Sequence, residues 1–362
     1  MRVLHCIPSL LGGGAERQLG YITEGLARQG VDVHVALVHE GPNADRVRRA
    51  GATIHRLPHP RAWDLRAVAR LASLARSLRV DLVQTWLTRM DLWGGAAATL
   101  AGVPWVISER STAGSATPAP ADRARFVLGR RAAAVVANSR TAAEEWRARV
   151  RPGTPVVTIA NAMPSTEIDE APAASRASLG IPDGVPLVLY AGRFAAPKNP
   201  AVLGETFARV LRARPEAWGL LCGEGPDLGV VRGALRDAGV LARCVLPGYR
   251  GDVWAWMKSA DVFVSLSVYE GRPNVVQEAL RCGVPCVISD IAAHREFIPD
   301  DAARYVPAGD PGAAAAAVLA LLNDRTMAND LSARGKGATA GVSLDAVAEA
   351  YRALYDEVLR RG

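Results

Sequence analysis

Short runs of apolar, often β-branched residues alternate along the chain with longer stretches of helical character. That alternation is the mark of βα units laid around parallel sheets. In the first half the strand candidates are Val3–Ile7, Val33–Val38, Leu82–Thr85, Trp105–Ser108, Ala134–Ala137 and Val156–Ile159, with Arg/Ala-rich helices such as Leu65–Leu78 between them. A Pro/Ala/Glu-rich stretch from Pro164 to Arg176 interrupts the pattern and reads as an interdomain linker. The strand Leu187–Ala191 restarts it, followed by Gly219–Cys222, Cys244–Leu246, Val262–Ser265, Cys286–Ser289 and Ala303–Val306. The alanine-rich Gly312–Leu322 reads as a helix, because Ala is the strongest helix former and Asp310 with Pro311 gives a start signal.

The chain has 362 residues, beyond the size at which one hydrophobic core stops growing, so two domains are expected. Two doubly wound domains facing one another would put the carboxyl ends of both sheets at a shared cleft, where ligands bind in such folds. The formal net charge of +7 comes from one half: residues 1–170 hold 22 Lys and Arg against 15 Asp and Glu. A basic half suits an anionic acceptor, an anionic membrane surface or nucleic acid, and equally a merely soluble surface. Only Lys198, Lys258 and Lys336 are lysines, so a lysine at a site carries more information than an arginine.

Cys6, Cys222, Cys244, Cys282 and Cys286 are odd in number and lie mostly in apolar stretches, which predicts reduced, buried thiols and a cytoplasmic protein. Cys282 and Cys286 lack companions for a zinc site. Met1 leads directly into a strand with no signal-peptide pattern, and the apolar stretch Leu92–Ile107 is broken by glycines and Pro104. No transmembrane helix is expected.

Three clusters carry the chemistry. Gly12 to Arg17 follows the first strand and opens the first helix, where small residues let a phosphate approach backbone N–H groups; a tight turn with no ligand explains them too. As a dinucleotide fingerprint it fails, because Arg17 stands at the third glycine position. Gly192 and Arg193 then leave the strand Leu187–Ala191, with Lys198 and Asn199 five residues on; the two cations can converge on one pyrophosphate and stabilise a departing nucleoside diphosphate. The third cluster runs from Ser267 to Gly283. Pro273 suits a first helical turn and Gly283 a C-terminal stop, which predicts a helix over Pro273–Cys282 with Glu270 just before it and Glu278 within it. Proline lacks an N–H, which leaves those of Asn274 and Val275 as expected free donors at a positive helix end. The two carboxylates can accept hydrogen bonds from sugar hydroxyls, or the segment can be an ordinary amphipathic helix.

Taken in order, these segments resemble the group 1 (family 4) retaining glycosyltransferases of the GT-B fold over essentially the whole chain. The matching pieces are Gly12–Arg17, Asp81–Thr85 with Gly94 and Gly95, Ala137–Ser139, Asn161, Gly192 and Arg193 with Lys198 and Asn199, Gly223–Pro226, Gly248 and Tyr249, Glu270 and Glu278, and Gly283–Pro285. The resemblance implies an α/β fold of two Rossmann-like doubly wound domains facing a central cleft. Residues 1–165 would form the acceptor side and 166–343 the donor-binding domain, with 344–362 a final helix packing back on the first. It implies that Arg193 and Lys198 bind the donor pyrophosphate, that Glu278 binds the ribose and that Glu270 holds the transferred sugar. Gly13 and Gly14 would close on the donor from the opposite domain. The backbone of Gly271, Arg272, Pro273, Asn274 and Val275 would hold phosphate or sugar, Tyr249 and Arg250 would reach the base, and Glu224 would belong to the same donor-binding set. Transfer would retain configuration by a front-face route with no protein nucleophile, and no metal or other cofactor would be required.

One departure falls on the acceptor side, where Arg89 stands in a segment in which related sequences often carry histidine. His5, His34, His39, His55, His59 and His294 form no recognisable triad, and no Asp-x-Asp motif follows a strand. The function implied is transfer from a nucleotide-sugar, with UDP the commonest base, to a lipid-linked or small saccharide in polysaccharide or glycoconjugate biosynthesis. The competing readings are a nucleotide-sugar epimerase, a noncatalytic nucleotide-sugar-binding subunit and a nicotinamide-dependent dehydrogenase. Nucleic acid is not an expected partner. Peripheral contact with the anionic inner face of the membrane is expected from the basic first half and from Arg123–Arg131 around Phe126 and Leu128.

Overall fold

The computed structural model describes residues 1–58, 65–110 and 119–361, so His59 lies outside the described residues. The chain forms two compact units, Met1–Pro164 with Val342–Gly362, and Ser165–Gly341.

The first unit holds a seven-stranded parallel sheet. Its strands are β1 (Arg2–Cys6), β2 (Asp32–Leu37), β3 (Thr53–Arg56), β4 (Leu82–Trp86), β5 (Trp105–Glu109), β6 (Ala134–Ala137) and β7 (Val156–Thr158). They lie in the order β3-β2-β1-β4-β5-β6-β7. Parallel sheets are covered on both faces, so their strands feed two cores. Val3 of β1 packs into one, with Leu19, Ile22 and Tyr351, while Leu4 and Cys6 pack into the other, with Trp93 and Trp105. The final helix Leu344–Arg361 belongs to this unit and lies on the first helix, Gly14–Arg28. The contact is close because Gly25 faces it: a Cβ there would stand 2.5 Å from that of Ala348. Tyr355 on the same helix donates a hydrogen bond to Gln84 of β4, inside the core.

The second unit repeats the plan with six parallel strands: β8 (Leu187–Ala191), β9 (Trp218–Cys222), β10 (Cys244–Gly248), β11 (Val262–Ser265), β12 (Cys286–Ser289) and β13 (Arg304–Val306). Their order is β10-β9-β8-β11-β12-β13. Along β8 the side chains alternate between cores, Val188 and Tyr190 on one face and Leu187, Leu189 and Ala191 on the other. The order reverses between β8 and β11, and it is beyond the carboxyl ends of such a pair that open α/β sheets bind ligands.

Three sequence expectations need correction. The short strand β3 was not foreseen; its residues are polar or half-exposed at the sheet edge and give no apolar run. The stretch Pro164–Arg176 is not simply a linker, since Ser165–Glu170 is helical. Arg281 Nε bonds Asp169 at 2.9 Å, and Lys258 Nζ caps the carbonyls of Asp169 and Ala171 at 2.8 and 2.6 Å. The helix expected from Pro273 begins at Asn274, with Pro273 as its cap.

All five cysteines are free; Cys6, Cys222 and Cys286 are buried, and Cys244 and Cys282 are half-buried. Among the described residues no helix is long and apolar enough to cross a membrane.

Candidate functional site

Two loops at the carboxyl edge of the second sheet, after β8 and after β11, bring the charged residues together. The first leaves β8 through Gly192, whose N–H bonds the carbonyl of Cys222 at 3.0 Å. Phe194 then buries its ring and donates its N–H to Glu224 at 2.9 Å, which ties this loop to the one after β9. That approach requires glycine at two places. A Cβ on Gly223, at φ +140, would lie 1.9 Å from the Gly192 carbonyl oxygen, and one on Gly225 2.1 Å from that of Phe194. A 3-10 turn, Ala196–Lys198, passes through left-handed Asn199 into the helix Pro200–Ala213. Asn199 is held there by its Nδ2, which donates to the Ala308 carbonyl at 2.8 Å.

The second loop, after β11, joins the first when the Val268 N–H bonds the Pro197 carbonyl at 2.9 Å. Lys198 and Glu270 consequently meet as an ion pair, both largely shielded from solvent. Ser267 Oγ donates to the same Glu270 oxygen, Oε1, at 2.7 Å. Ser267 is itself anchored through its carbonyl, which accepts from Ser289 Oγ at 2.5 Å. Behind it, the Ser289 carbonyl lies 2.6 Å from Nδ1 of the buried His294. Burial holds His294 below the usual imidazole range, which favours the neutral ring, and its Nε2 has no partner among the described residues. A sequence scan could not single out His294, whose contact with Ser289 depends on the tertiary fold.

Arg193 is exposed on the same loop, with no ion pair among the described residues. Tyr190, whose hydroxyl donates to the Arg193 carbonyl at 3.1 Å, also explains Gly192: a Cβ there would stand 2.7 Å from that hydroxyl. Glycine at this strand exit therefore makes room for a tyrosine as well as opening the backbone.

Glu278 lies in the helix Asn274–Cys282 with only 4% of its surface exposed, and Trp254 Nε1 donates to its Oε2 at 3.0 Å. The helix start differs from expectation in one donor. The Asn274 N–H is taken by the Arg272 carbonyl at 2.9 Å, because Pro273 turns the chain too tightly to leave it open. Among the described residues no carbonyl takes the Val275 N–H. Gly271 and Arg272 are partly exposed; the Arg272 guanidinium stacks 4.2 Å from the Phe297 ring and its Nε reaches Gln277 Oε1 at 3.1 Å.

The loop after β10 turns at Gly248, φ +81, beside the exposed Glu224. Tyr249 is 64% exposed. Arg250 folds back on Asp252 through two bonds of 2.8 and 2.5 Å, which hold the Asp252 carboxyl below the usual range. Its guanidinium is therefore already committed.

Gly13 and Gly14 belong to the first unit. Gly13 caps the first helix, and a Cβ on it would lie 2.1 Å from Glu16 Oε2. The Glu16 carboxyl folds over the loop and is pushed up by burial, partly offset by hydrogen bonds from its own backbone N–H and from Ser9. A carboxylate of the chain thus sits at the helix start where the glycines suggested a phosphate. Arg89 is exposed in the first turn of the helix Leu87–Ala101, 5.6 Å from the Trp93 ring.

The arginine-rich stretch of the first unit needs correction. Arg125 is buried, bonding Asp91 at 2.6 Å and Glu109 at 2.8 Å. Phe126 packs edge-on to Trp146 at 5.1 Å with Arg149 over its ring at 4.4 Å, and Leu128 joins the same core. The face left outward holds Arg123, Val127, Arg130 and Arg131.

Comparison with known proteins places these features in context. A family model described as "Glycosyl transferases group 1" matches residues 173–338, and one described as "Glycosyltransferase Family 4" matches 12–166. The chain is 26% identical over 355 residues to the lipopolysaccharide core biosynthesis glycosyltransferase LpsE of Rhizobium meliloti, covering 94% of each. A shorter match, 27% over 113 residues, is to an Escherichia coli UDP-Gal:alpha-D-GlcNAc-diphosphoundecaprenol alpha-1,3-galactosyltransferase and covers 30% of this chain and 29% of that one. Among solved structures, Anabaena HepE in complex with UDP-glucose superposes with a TM-score of 0.86 at 18% identity, covering 99% of this chain and 100% of that one.

Proposed function

Because the chain belongs to the group 1 glycosyltransferases of the GT-B fold, we propose that it moves a sugar from a UDP-sugar, with retention of configuration, to a lipid-linked or small saccharide in polysaccharide or glycoconjugate biosynthesis. The observation that carries the reading is the joining of Lys198 and Glu270 at the carboxyl ends of β8 and β11, on the same sheet edge as Arg193. A departing nucleoside diphosphate gathers charge on its phosphate oxygens, and fixed cations aimed there lower the barrier. Arg193 and Lys198 supply them, and the Val275 N–H adds a donor at a helix N-terminus. Glu270 accepts hydroxyls of the sugar and Glu278 those of the ribose. Retention then follows a front-face route in which the leaving phosphate helps to deprotonate the acceptor hydroxyl, so that no protein nucleophile is needed.

The donor base rests on relatives: UDP-glucose is bound by HepE, and the E. coli relative is named for UDP-galactose. The acceptor class rests on the name of the E. coli relative together with that of LpsE. We propose that no metal takes part, since the two cations serve the leaving group, and that the protein works in the cytoplasm. Peripheral contact with anionic membrane then falls to the exposed Arg123, Val127, Arg130 and Arg131 rather than to Phe126. Flotation with anionic liposomes tests this, and no enrichment over neutral lipid refutes it.

The test of the donor site is thermal unfolding against UDP, GDP, dTDP, ADP and NAD, in EDTA, with Glu278→Ala as control. A ligand at about 100 times its dissociation constant adds about 2.7 kcal/mol, a rise of roughly 5 to 10 °C for units of this size. UDP should shift the wild type and not the variant. A shift by NAD alone, or by none of the five, refutes the reading.

A further inference from the structure

We infer that Ser267 is a positioning residue for the transferred sugar: its hydroxyl is the fixed anchor that keeps the Glu270 carboxylate in place when the donor phosphates draw Lys198 away. The inference rests on the assignment of Glu270 to that sugar and of Lys198 to the phosphates.

The two donors that hold Glu270 come to one oxygen. Lys198 Nζ and Ser267 Oγ, the latter at 2.7 Å, meet at Oε1. A carboxylate offers about four acceptor positions shared between its two oxygens. Oε1 is therefore occupied, and Oε2, which no donor among the described residues reaches, is the oxygen left for sugar hydroxyls.

The two donors respond differently to a ligand. Lys198 carries a point charge on a flexible four-carbon stem, and a diphosphate brings more negative charge than one carboxylate. Its ammonium follows the phosphates when they arrive, so its grip on Glu270 slackens just when the sugar has to be held. Ser267 is not drawn in this way, because its side chain is short and neutral and the residue is only 1% exposed.

The backbone that carries Ser267 is clamped from behind. The residue lies just past the end of β11, and its carbonyl accepts from Ser289 Oγ, on the last residue of the neighbouring strand β12. His294 Nδ1 meets the Ser289 carbonyl at 2.6 Å, and both Ser289 and His294 are fully buried. Hydrogen bonds from His294 to Ser289, from Ser289 to Ser267 and from Ser267 to Glu270 thus tie the carboxylate to the core of the second unit. The bond from Lys198 ties it only to a 3-10 turn. Loss of the serine donor should accordingly be felt by a nucleotide-sugar and not by the bare nucleotide.

The experiment is a calorimetric titration of UDP and UDP-glucose into the wild type, Ser267→Ala, Ser267→Thr, Lys198→Ala and Glu270→Ala. The quantity read is the dissociation constant of UDP-glucose divided by that of UDP, which is taken within one protein and does not depend on the fraction folded. Threonine keeps the hydroxyl and alanine removes it, while both disturb the packing of a buried serine, so the pair separates the donor from the fit. We expect Ser267→Ala to raise the ratio about tenfold, the low end for one hydrogen bond to a charged group, and Ser267→Thr to restore most of it. Lys198→Ala should weaken both ligands and leave the ratio near that of the wild type. Equal ratios in the Ala and Thr variants overturn the role of the hydroxyl. A ratio raised as far by Lys198→Ala as by Ser267→Ala overturns the division between a movable holder and a fixed one. An unchanged ratio in Ser267→Ala beside a raised one in Glu270→Ala refutes the inference and leaves the sugar assignment of Glu270 standing. A Glu270→Ala ratio equal to that of the wild type, or a wild type that binds neither ligand, overturns that assignment and this inference with it.

Discussion

Lys198 and Glu270, on separate loops of the second unit, form an ion pair at the carboxyl edge of its sheet. The pairing means that Glu270 competes with any phosphate for the lysine. Neutralising the carboxylate should therefore strengthen binding of a bare nucleoside diphosphate while weakening sugar transfer. We expect Glu270→Gln to lower the dissociation constant of UDP by about 3- to 10-fold, the net worth of one ordinary hydrogen bond. Lys198→Ala should raise it and cut kcat by about 100-fold, the usual loss when one stabiliser of developing charge is removed. Titration of UDP and an initial-rate assay check both. Weaker UDP binding in Glu270→Gln would show that the carboxylate supports the anion site rather than opposing it.

The loops that present these residues depend on a backbone approach that only glycine allows. Gly223→Ala forces a Cβ to 1.9 Å from the Gly192 carbonyl at a φ of +140, so the loops after β8 and β9 must part. We expect a loss of more than about 2 kcal/mol, the scale of backbone strain with a steric clash. Gly229→Ala is the matched control, since a Cβ there meets nothing within 4 Å and the residue is helical. It should gain up to about 1 kcal/mol from helix propensity. Urea unfolding of both variants decides the matter, and equal stabilities would sink the argument.

Much of this was legible in the sequence, for identifiable reasons. Strands such as Ala134–Ala137, Leu187–Ala191, Val262–Ser265 and Cys286–Ser289 fall where they were expected, because a strand covered on both faces is a continuous apolar run. β3 was missed because Thr53–Arg56 is an edge strand with no such run. The gathering of Arg193, Lys198 and Glu270 at one site was implied by the family resemblance, but the ion pair was not, since it depends on one backbone bond from Val268 to Pro197. Trp254 escaped notice because it carries no motif; it reaches Glu278 only through the packing of one short helix on another. Arg125 was misread for the opposite reason. It stands in a basic run that looks like surface, and only the buried carboxylates of Asp91 and Glu109 show where it points.

That buried cluster makes a prediction of its own. Asp91, with its carboxyl raised by burial, accepts from Thr85 Oγ1 at 2.5 Å and from Arg125, while Trp146 Nε1 holds Glu109 at 2.7 Å. Arg125→Met leaves both carboxylates without their cation, and breaking a buried pair this way costs about 3–5 kcal/mol. The exposed Arg130→Met should stay within about 0.5 kcal/mol of the wild type. Denaturant unfolding compares them, and a small loss in Arg125→Met would mean that the carboxylates take up protons at little cost.

The acid limb of stability should carry the mark of His5. This histidine is fully buried on β1, its Nδ1 accepts from Trp86 Nε1 at 3.1 Å, and its Nε2 finds no partner among the described residues. Burial lowers its pKa to about 3, against about 6.5 in an unfolded chain. Well above pH 6.5 the ring is neutral in both states and contributes nothing to the pH dependence. Between about 6.5 and 3 the unfolded chain binds the proton and the folded one does not, so stability falls with falling pH by up to about 1.4 kcal/mol per unit. His5→Asn removes the titration while leaving an acceptor near Trp86. We expect the wild type to lose up to about 2 kcal/mol more than this variant between pH 7 and pH 5, measured by urea unfolding followed through tryptophan fluorescence. Parallel curves for the two proteins would mean that folding does not hold His5 neutral, and that its burial is relieved by a proton acceptor at Nε2.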